Sequence, residues 1–363
     1  MLTRLNSGMY CPYIANAMLD DNDTTYFAVG GMMLYDPLIA DDILTEVIPT
    51  LQFVDYWSGL FPLNDTFRAS LRARDADCGF SAFVEKHLIF PPLGPLPPRS
   101  SLPGMDARGT PRAECIDLFD DVVKGVMDIN PCFNVYHVST ACPLQWDVLG
   151  FPGSFPYLAP GARLYFNRSD VKEAINAPQQ TWETCRLYEP VFVNNKDSSQ
   201  LPVERVLPRV IDATQNVVIA HGALDMVLYA NGTLLGLQNM TWGGQLGFQT
   251  RPEQPFYVPH SVLGDTFETM AAAGVFGSYV TERGLTYIGV ALSGHMVPQY
   301  APSAAYRQLE FVLGRVNCLN CTVPFTTDGE PPPQSQQPLG TGTAPQGWSN
   351  MAVFTEMGPA QEC

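Results

Sequence analysis

The sequence is poor in charged residues, and above all in bases. Only 15% of its 363 residues are charged, and 20 Lys and Arg face 36 Asp and Glu, which gives a formal net charge of −16. Basic residues never form a run longer than two. This charge balance disfavours binding to nucleic acid and to anionic membrane surfaces, so we expect no nucleic-acid partner.

Long apolar runs are absent as well. No segment reaches the roughly 18 apolar residues that a membrane-spanning helix needs, so we expect no membrane span. The first 20 residues contain no apolar run followed by a small-residue cleavage site. We therefore expect no signal peptide in this chain.

The sequence also lacks clusters of metal ligands. It contains five histidines, and His87, His137 and His260 stand alone, without the spacing of a metal site. The one Cys-x-x-Cys pair, Cys318 and Cys321, has no second pair or histidines at zinc spacing. We expect neither a metal ion nor another cofactor, and the sequence leaves the oligomeric state open.

Cysteines and glycosylation signals are abundant by contrast. The nine cysteines favour disulfides, and their odd number leaves at least one without a partner in the chain. Average Ser and Thr usage would give only about two Asn-x-Ser/Thr sequons. Six candidate glycosylation sites are present, at Asn22, Asn64, Asn167, Asn231, Asn239 and Asn320. Both features indicate an origin in the secretory pathway.

The order of predicted elements indicates an α/β fold. A helix is expected over 7–19 and a strand over 26–35, the second half of a β-α-β unit. Helical stretches and a proline-rich loop follow, and buried strands return at 216–221, 275–280 and 285–292. The predicted divisions are a core remnant (1–40), an inserted, mostly helical cap (41–207), a C-terminal core (208–316) and a disordered tail (317–363).

Two polar residues follow predicted strands at the edge where open α/β sheets place their chemistry. Asp225 comes after the strand 216–221, and His295 comes 70 residues later, after the strand 285–292. The order Asp then His is that of the last two members of an α/β-hydrolase triad, in which histidine is the general base and aspartate orients it. A turn residue that caps its loop is the alternative for Asp225. Asp36, beside Pro37, is expected to be a turn residue.

Four separated segments carry a specific family resemblance. HGALDMVLYANGT at 221–233 resembles the catalytic-aspartate segment of serine carboxypeptidases, and SGHMVPQYAP at 293–302 resembles their catalytic-histidine segment. NRSDVKEAINAP at 167–178, followed by TWETC at 181–185, is similar to the family's cap segment before a disulfide cysteine, and residues 7–23 and 30–37 resemble the helix and strand after its nucleophile. The likeness is to fungal secreted or vacuolar members of the family.

The resemblance implies an α/β-hydrolase fold with an inserted, mostly helical cap, in which the C-terminal part of the sheet is present and the first strands are missing. It implies hydrolysis of the C-terminal peptide bond through an acyl-enzyme, with peptides or protein C-termini as partners. Asp225 and His295 take the catalytic positions. Met296 resembles a residue that lines the substrate cleft, and a packed loop methionine is its alternative.

The family's nucleophile motif, Gly-Glu-Ser-Tyr-Ala-Gly, is not preserved here. Counted back from the helix, Leu5 takes the place of the catalytic serine, and Arg4 takes that of a glutamate that helps to bind the substrate's terminal carboxylate. Leu5 also stands two residues before Ser7, where a strand-to-helix elbow needs glycine, so Ser7 is a poor substitute nucleophile. The resemblance thus implies an N-terminally truncated chain that is inactive.

Three hypotheses follow from these observations. The chain is an active serine carboxypeptidase, a shortened product of a misassigned gene for such an enzyme, or a non-catalytic pseudopeptidase that binds peptides through its cap and the cleft at His295. Reaction with a serine-directed probe separates the first hypothesis from the other two.

Overall fold

Strands in the described part of the chain form a central sheet and a small separate hairpin. They are β1 (Met32–Tyr35), β2 (Val217–Gly222), β3 (Thr241–Trp242), β4 (Gln245–Leu246), β5 (Gln254–Val258), β6 (Gly274–Glu282) and β7 (Leu285–Val290). The central sheet has the order β1-β2-β7-β6-β5, and β3 pairs with β4. These strands come from a computed structural model that describes residues 7–142, 164–182, 197–260 and 273–328.

The two innermost strands carry the strongest sequence signal. Every residue of β2 and of β7 is buried, as their continuous apolar runs predict. β1, β2 and β7 are parallel, whereas β6 and β5 are antiparallel to their neighbours. The predicted strand pair 275–280 and 285–292 is therefore confirmed as the β6–β7 hairpin. The strand predicted over 26–35 is wrong in length, because only Met32–Tyr35 pairs with β2.

Helices and loops cover the sheet. They are α1 (Ser7–Asp21), α2 (Thr50–Tyr56), α3 (Asp65–Cys78), α4 (Phe80–His87), α5 (Ala113–Ile116), α6 (Leu118–Met127), α7 (Ser169–Ala174), α8 (Val206–Thr214), α9 (Ala230–Gln238), α10 (Val297–Tyr300) and α11 (Pro302–Val312). A π-helical turn over Ile43–Val47 precedes α2. Asn64 begins α3 by accepting a hydrogen bond from the backbone N–H of Phe67, and Gly79 ends it with a φ of 79°. Parallel strands with covering helices confirm the predicted α/β class.

The segment after β1 packs directly against the sheet. Ile39, Ile48 and Phe80 share one buried cluster with Ile219 of β2 and Tyr287 of β7. A second cluster joins α2, α3 and α6 to the loop after β2. Disulfides connect Cys78 with Cys115 and Cys132 with Cys142 within this segment. Part of the predicted cap thus belongs to the main apolar core.

The predicted tail begins too early. Leu319, Val323 and Phe325 are buried, Cys318 forms a disulfide with Cys321, and the carbonyl of Leu319 accepts a hydrogen bond from Tyr257 of β5. The chain therefore stays packed on the sheet to residue 328, and the remainder of the predicted tail lies outside the described residues. Among the described helices, none is long and apolar enough to cross a membrane.

Candidate functional site

The two predicted catalytic residues meet at the carboxyl end of the sheet. β2 and β7 are paired in parallel with Gly222 opposite Val290, so the loops that follow both strands leave the same edge. Nδ1 of His295 lies 2.7 Å from Oδ2 of Asp225. Asp225 is fully buried, and His295 is 6% exposed. We call this hydrogen-bonded pair the Asp225–His295 couple.

Backbone hydrogen bonds fix the two loops to each other. The N–H of Ala223 donates to the carbonyl of Val290 at 2.9 Å, and the N–H of Leu224 donates to the carbonyl of Ser293 at 2.8 Å. The N–H of His295 donates to the carbonyl of Tyr136 at 2.8 Å. The loops that carry Asp225 and His295 and the stretch at Tyr136 are therefore fixed to one another by backbone hydrogen bonds alone.

Two glycines allow this close approach. A Cβ atom on Gly222 would lie 2.2 Å from the carbonyl oxygen of Gly294. A Cβ atom on Gly294 would in turn lie 2.0 Å from the carbonyl oxygen of Tyr136. The glycines are required by contact between backbones, since any side chain at either position would push the loops apart.

The hydrogen bonds also define the protonation of the couple. Oδ1 of Asp225 accepts a bond from the N–H of Val227 at 2.8 Å, and its Oδ2 faces His295. A carboxylate only accepts hydrogen bonds, so Nδ1 of His295 carries the proton between them. Nε2 of His295 is then the basic atom of the neutral ring, which is the arrangement that a general base needs.

A second histidine lies beneath the couple. His221 is fully buried in β2, and its Nε2 is 2.6 Å from the carbonyl of Leu228, to which it donates. Burial lowers the pKa of His221 to about 4, although the nearby Asp225 charge acts in the opposite direction. Its contacts with Asp36 at 3.3 Å and Asp225 at 3.8 Å are therefore those of a neutral ring at pH 7.

Asp36 completes the buried polar group. It follows β1 with a φ of 43°, as expected for a turn residue, but it is only 1% exposed. Its Oδ1 accepts a hydrogen bond from the N–H of Gly222 at 2.7 Å. Burial and the charge of Asp225 raise the pKa of Asp36 well above its usual value.

Three groups converge closely enough for a metal ion to be considered. One polar atom each of Asp36, Asp225 and His295 lies within 4.8 Å of the others. The Nδ1 atom of His295 would have to give up its proton and its bond to Asp225 in order to bind a cation. The contacts are those of a hydrogen-bonded couple, and they give no support to a metal centre.

Of the remaining predicted site residues, Met296 and Ser7 lie in the described part of the chain. Met296 is half-buried and directly precedes α10, next to the couple in sequence. Leu5 and Arg4 lie outside the described residues, and Ser7 is the first residue of α1.

The sequons differ in exposure. Asn22, Asn64 and Asn239 are exposed, and Asn167 and Asn320 are half-buried. The side chain of Asn167 bonds both the N–H and the carbonyl of Trp182. Asn231 is fully buried in α9, which argues against a glycan at that sequon.

Three residues of the site were not expected to take part in it. Tyr136 supports His295 through its carbonyl and places its ring 5.3 Å from the imidazole, and nothing local in its sequence marks this role. His221 lies inside the apolar strand β2, and this position is the only feature of the sequence that could have indicated a role for it. Asp36 follows a buried parallel strand at the same sheet edge as Asp225, and this shared position is the signal that could have found it.

Comparisons with known proteins point to one family. Residues 6–314 match the family described as "Serine carboxypeptidase". A "Probable serine carboxypeptidase" of Arthroderma benhamiae is 48% identical over 315 residues, which are 86% of this chain and 57% of that protein. "Serine-type carboxypeptidase F" of Aspergillus niger is 42% identical over 328 residues, which are 86% of this chain and 60% of that protein.

A solved structure supports the fold. The crystal structure of Kex1(delta)p, a prohormone-processing carboxypeptidase from Saccharomyces cerevisiae, matches with a TM-score of 0.54 and 17% identity over 85% of this chain and 60% of that one. This likeness confirms the expected α/β-hydrolase fold. The chain spans less than two thirds of the length of these relatives. With a family match over most of its residues, the chain belongs to the serine carboxypeptidase family.

Proposed function

We propose that this chain contains the acid–base half of a serine carboxypeptidase site, formed by Asp225 and His295, and that it does not catalyse the reaction itself. The observation that carries the proposal is the 2.7 Å bond between Nδ1 of His295 and Oδ2 of Asp225, at the carboxyl ends of two buried parallel strands. By family, the substrates would be peptides and protein C-termini.

The roles of the two residues follow from their bonds. In the family's reaction, Nε2 of the histidine takes the proton of the serine nucleophile and returns it to the leaving amine. His295 has the tautomer for this step, because Asp225 holds the proton on Nδ1. The Asp225 carboxylate would also stabilise the imidazolium that forms, since both groups are shielded from water.

The expected inactivity rests on the residue that takes the nucleophile's place. Leu5 has no atom that can attack a carbonyl group, and Ser7, at the start of α1, lacks the glycine-supported elbow. Removal of a triad nucleophile costs on the order of a million-fold in kcat in a studied hydrolase. A kcat lower than that of an active relative by about this factor is therefore expected.

The disulfides support a place in the secretory pathway for this chain, extracellular or vacuolar as in the fungal enzymes that it resembles. They join Cys78 with Cys115, Cys132 with Cys142 and Cys318 with Cys321. Such bonds form and persist in oxidising compartments. The exposed Asn22, Asn64 and Asn239 are the proposed glycosylation sites. Expression in a fungal secretory host, followed by intact-mass measurement before and after endoglycosidase treatment, tests this proposal.

A peptidase assay tests the functional proposal. The purified chain and a His295→Ala variant are incubated with an N-blocked peptide, and release of the C-terminal residue is followed by mass spectrometry. We expect the two proteins to release it at the same background rate. A higher rate in the unsubstituted chain that His295→Ala abolishes would show that the chain is an active carboxypeptidase and overturn the proposal.

A further inference from the structure

A buried carboxyl group lies against the couple without an assigned role. Asp36 is anchored by two bonds to β2: its N–H donates to the carbonyl of Ala220 at 2.8 Å, and its Oδ1 accepts from the N–H of Gly222 at 2.7 Å. One of its oxygens lies within 4.8 Å of polar atoms of both Asp225 and His295. Its position is therefore set by the sheet and directed at the couple.

The two carboxyl groups need a proton between them. One side-chain oxygen of Asp36 and one of Asp225 lie within 4.8 Å of each other, yet two carboxylates have only acceptors to offer. Oδ2 of Asp36 is buried and finds no donor among the described residues. Two buried carboxyl groups this close repel each other when both are ionised, which favours a proton on one of them.

The surroundings decide which carboxyl group is neutral. Asp225 accepts bonds from the N–H of Val227 and from Nδ1 of His295, and both donors stabilise its negative charge. Asp36 has one backbone donor, and burial together with the charge of Asp225 raises its pKa well above the usual range. The proton of the pair is therefore favoured on Asp36.

The other titratable groups that face Asp36 in the described part of the chain supply no compensating charge. His221 is a neutral ring because burial lowers its pKa to about 4. Burial and the proximity of Asp36 raise the pKa values of Tyr35 and Tyr287, so both phenols are uncharged. The hydroxyl of Tyr287 is buried, and no described residue bonds it.

We propose that Asp36 is a positioning residue of the couple: as a neutral carboxylic acid, it donates a hydrogen bond to the Asp225 carboxylate and holds it facing His295. The inference rests on the proposed function only in treating Asp225 and His295 as the acid–base pair. The bond itself needs no nucleophile, so it can be tested in the chain as it exists, separately from any peptidase activity.

The first measurement uses the unsubstituted chain. The side-chain carboxyl carbon of Asp36 is followed by ¹³C NMR as the pH is varied, and we expect it to remain in its protonated form at pH 7. An ionised Asp36 at pH 7 would overturn the proposal without any need for a variant.

The second measurement compares two variants through the His295 Nδ1–H proton resonance. Asp36→Asn keeps an N–H donor for Asp225 and an acceptor for Gly222, so we expect the resonance to stay at its original position. Asp36→Ala removes the donor, so the resonance should shift or be lost. Asp75→Ala is the matched control, because Asp75 is also a buried carboxyl and its Oδ2 accepts from the N–H of Ser81, away from the couple.

The outcomes separate positioning from a merely structural role. An unchanged resonance in Asp36→Ala, or a change in Asp36→Asn as large as that in Asp36→Ala, would refute the proposal.

Discussion

Gly222 is a position where a single methyl group should damage the site. In Gly222→Ala the new Cβ would lie 2.2 Å from the carbonyl oxygen of Gly294 and 2.6 Å from that of Ser293. Real Cβ contacts essentially never fall below 3.0 Å, so β2 and the loop that carries His295 must separate by most of an ångström. Both opposing atoms belong to backbone, and neither can rotate away.

The separation has an energetic and a geometric consequence. Overpacking of this kind costs about 1–3 kcal/mol of unfolding free energy. The bond between Leu224 and Ser293 crosses the same gap, and the 2.7 Å bond of the Asp225–His295 couple lies beside it. We therefore expect both a lower stability and a displaced or broken couple.

Urea denaturation, followed by circular dichroism, measures the first effect, and the His295 Nδ1–H resonance reports the second. Gly94→Ala is the matched control, because a Cβ added there would meet nothing within 4 Å and the backbone is not left-handed. If Gly222→Ala matched Gly94→Ala in stability and kept the original resonance, the contact between the two loops would not be tight, and the reasoning would be wrong.

Three further predictions concern stability and association. The pKa of His221 in the folded protein is about 4, below its ordinary 6.5, so its neutral ring favours the folded state fully above pH 6.5 and this stabilisation is lost as the pH falls toward 4. Urea denaturation over this pH range should show the unfolding free energy fall by about 3 kcal/mol. His221→Gln should remove this pH dependence. Replacing Cys78 and Cys115 by Ala opens a loop with a sequence separation of 37 and should lower the unfolding free energy by about 4 kcal/mol. Replacing Cys318 and Cys321 by Ala, with a separation of 3, should lower it by only about 2 kcal/mol. Urea denaturation measures both losses. Among the described residues, β1 has a strand partner on one side only, and Tyr26, which lines a surface groove together with Met32 of β1, is 81% exposed. Tyr26→Lys should therefore reduce self-association in light scattering, whereas Leu93→Lys, at an 89% exposed position, should not.

The sequence predicts the centre of the sheet and the couple because both depend on local patterns. β2 and β7 are continuous apolar runs, and Asp225 and His295 follow them at the sheet edge. Parallel pairing then brings the two loops together without further information. The short strand β5 was missed because its Pro255 and its exposed first residue weaken the apolar pattern.

The support beneath the couple could not be predicted in the same way. Asp36 and Asp225 lie about half the chain apart in sequence, and their proximity depends on the pairing of β1 with β2. The burial of Asn231 likewise depends on the packing of α9, whereas its sequon is a property of three residues. The proximity of Asp36 to Asp225 and the burial of Asn231 are both determined by long-range packing, which cannot be read from the spacing of residues in the sequence.

Reaction with a serine-directed fluorophosphonate tests most directly whether the chain has an acid–base couple without a nucleophile. The purified chain is labelled beside an active serine carboxypeptidase as a positive control, and modified peptides are mapped by mass spectrometry. We predict no label above that of the heat-denatured chain. Stoichiometric labelling of Ser7 or any other serine, lost in His295→Ala, would contradict the proposal.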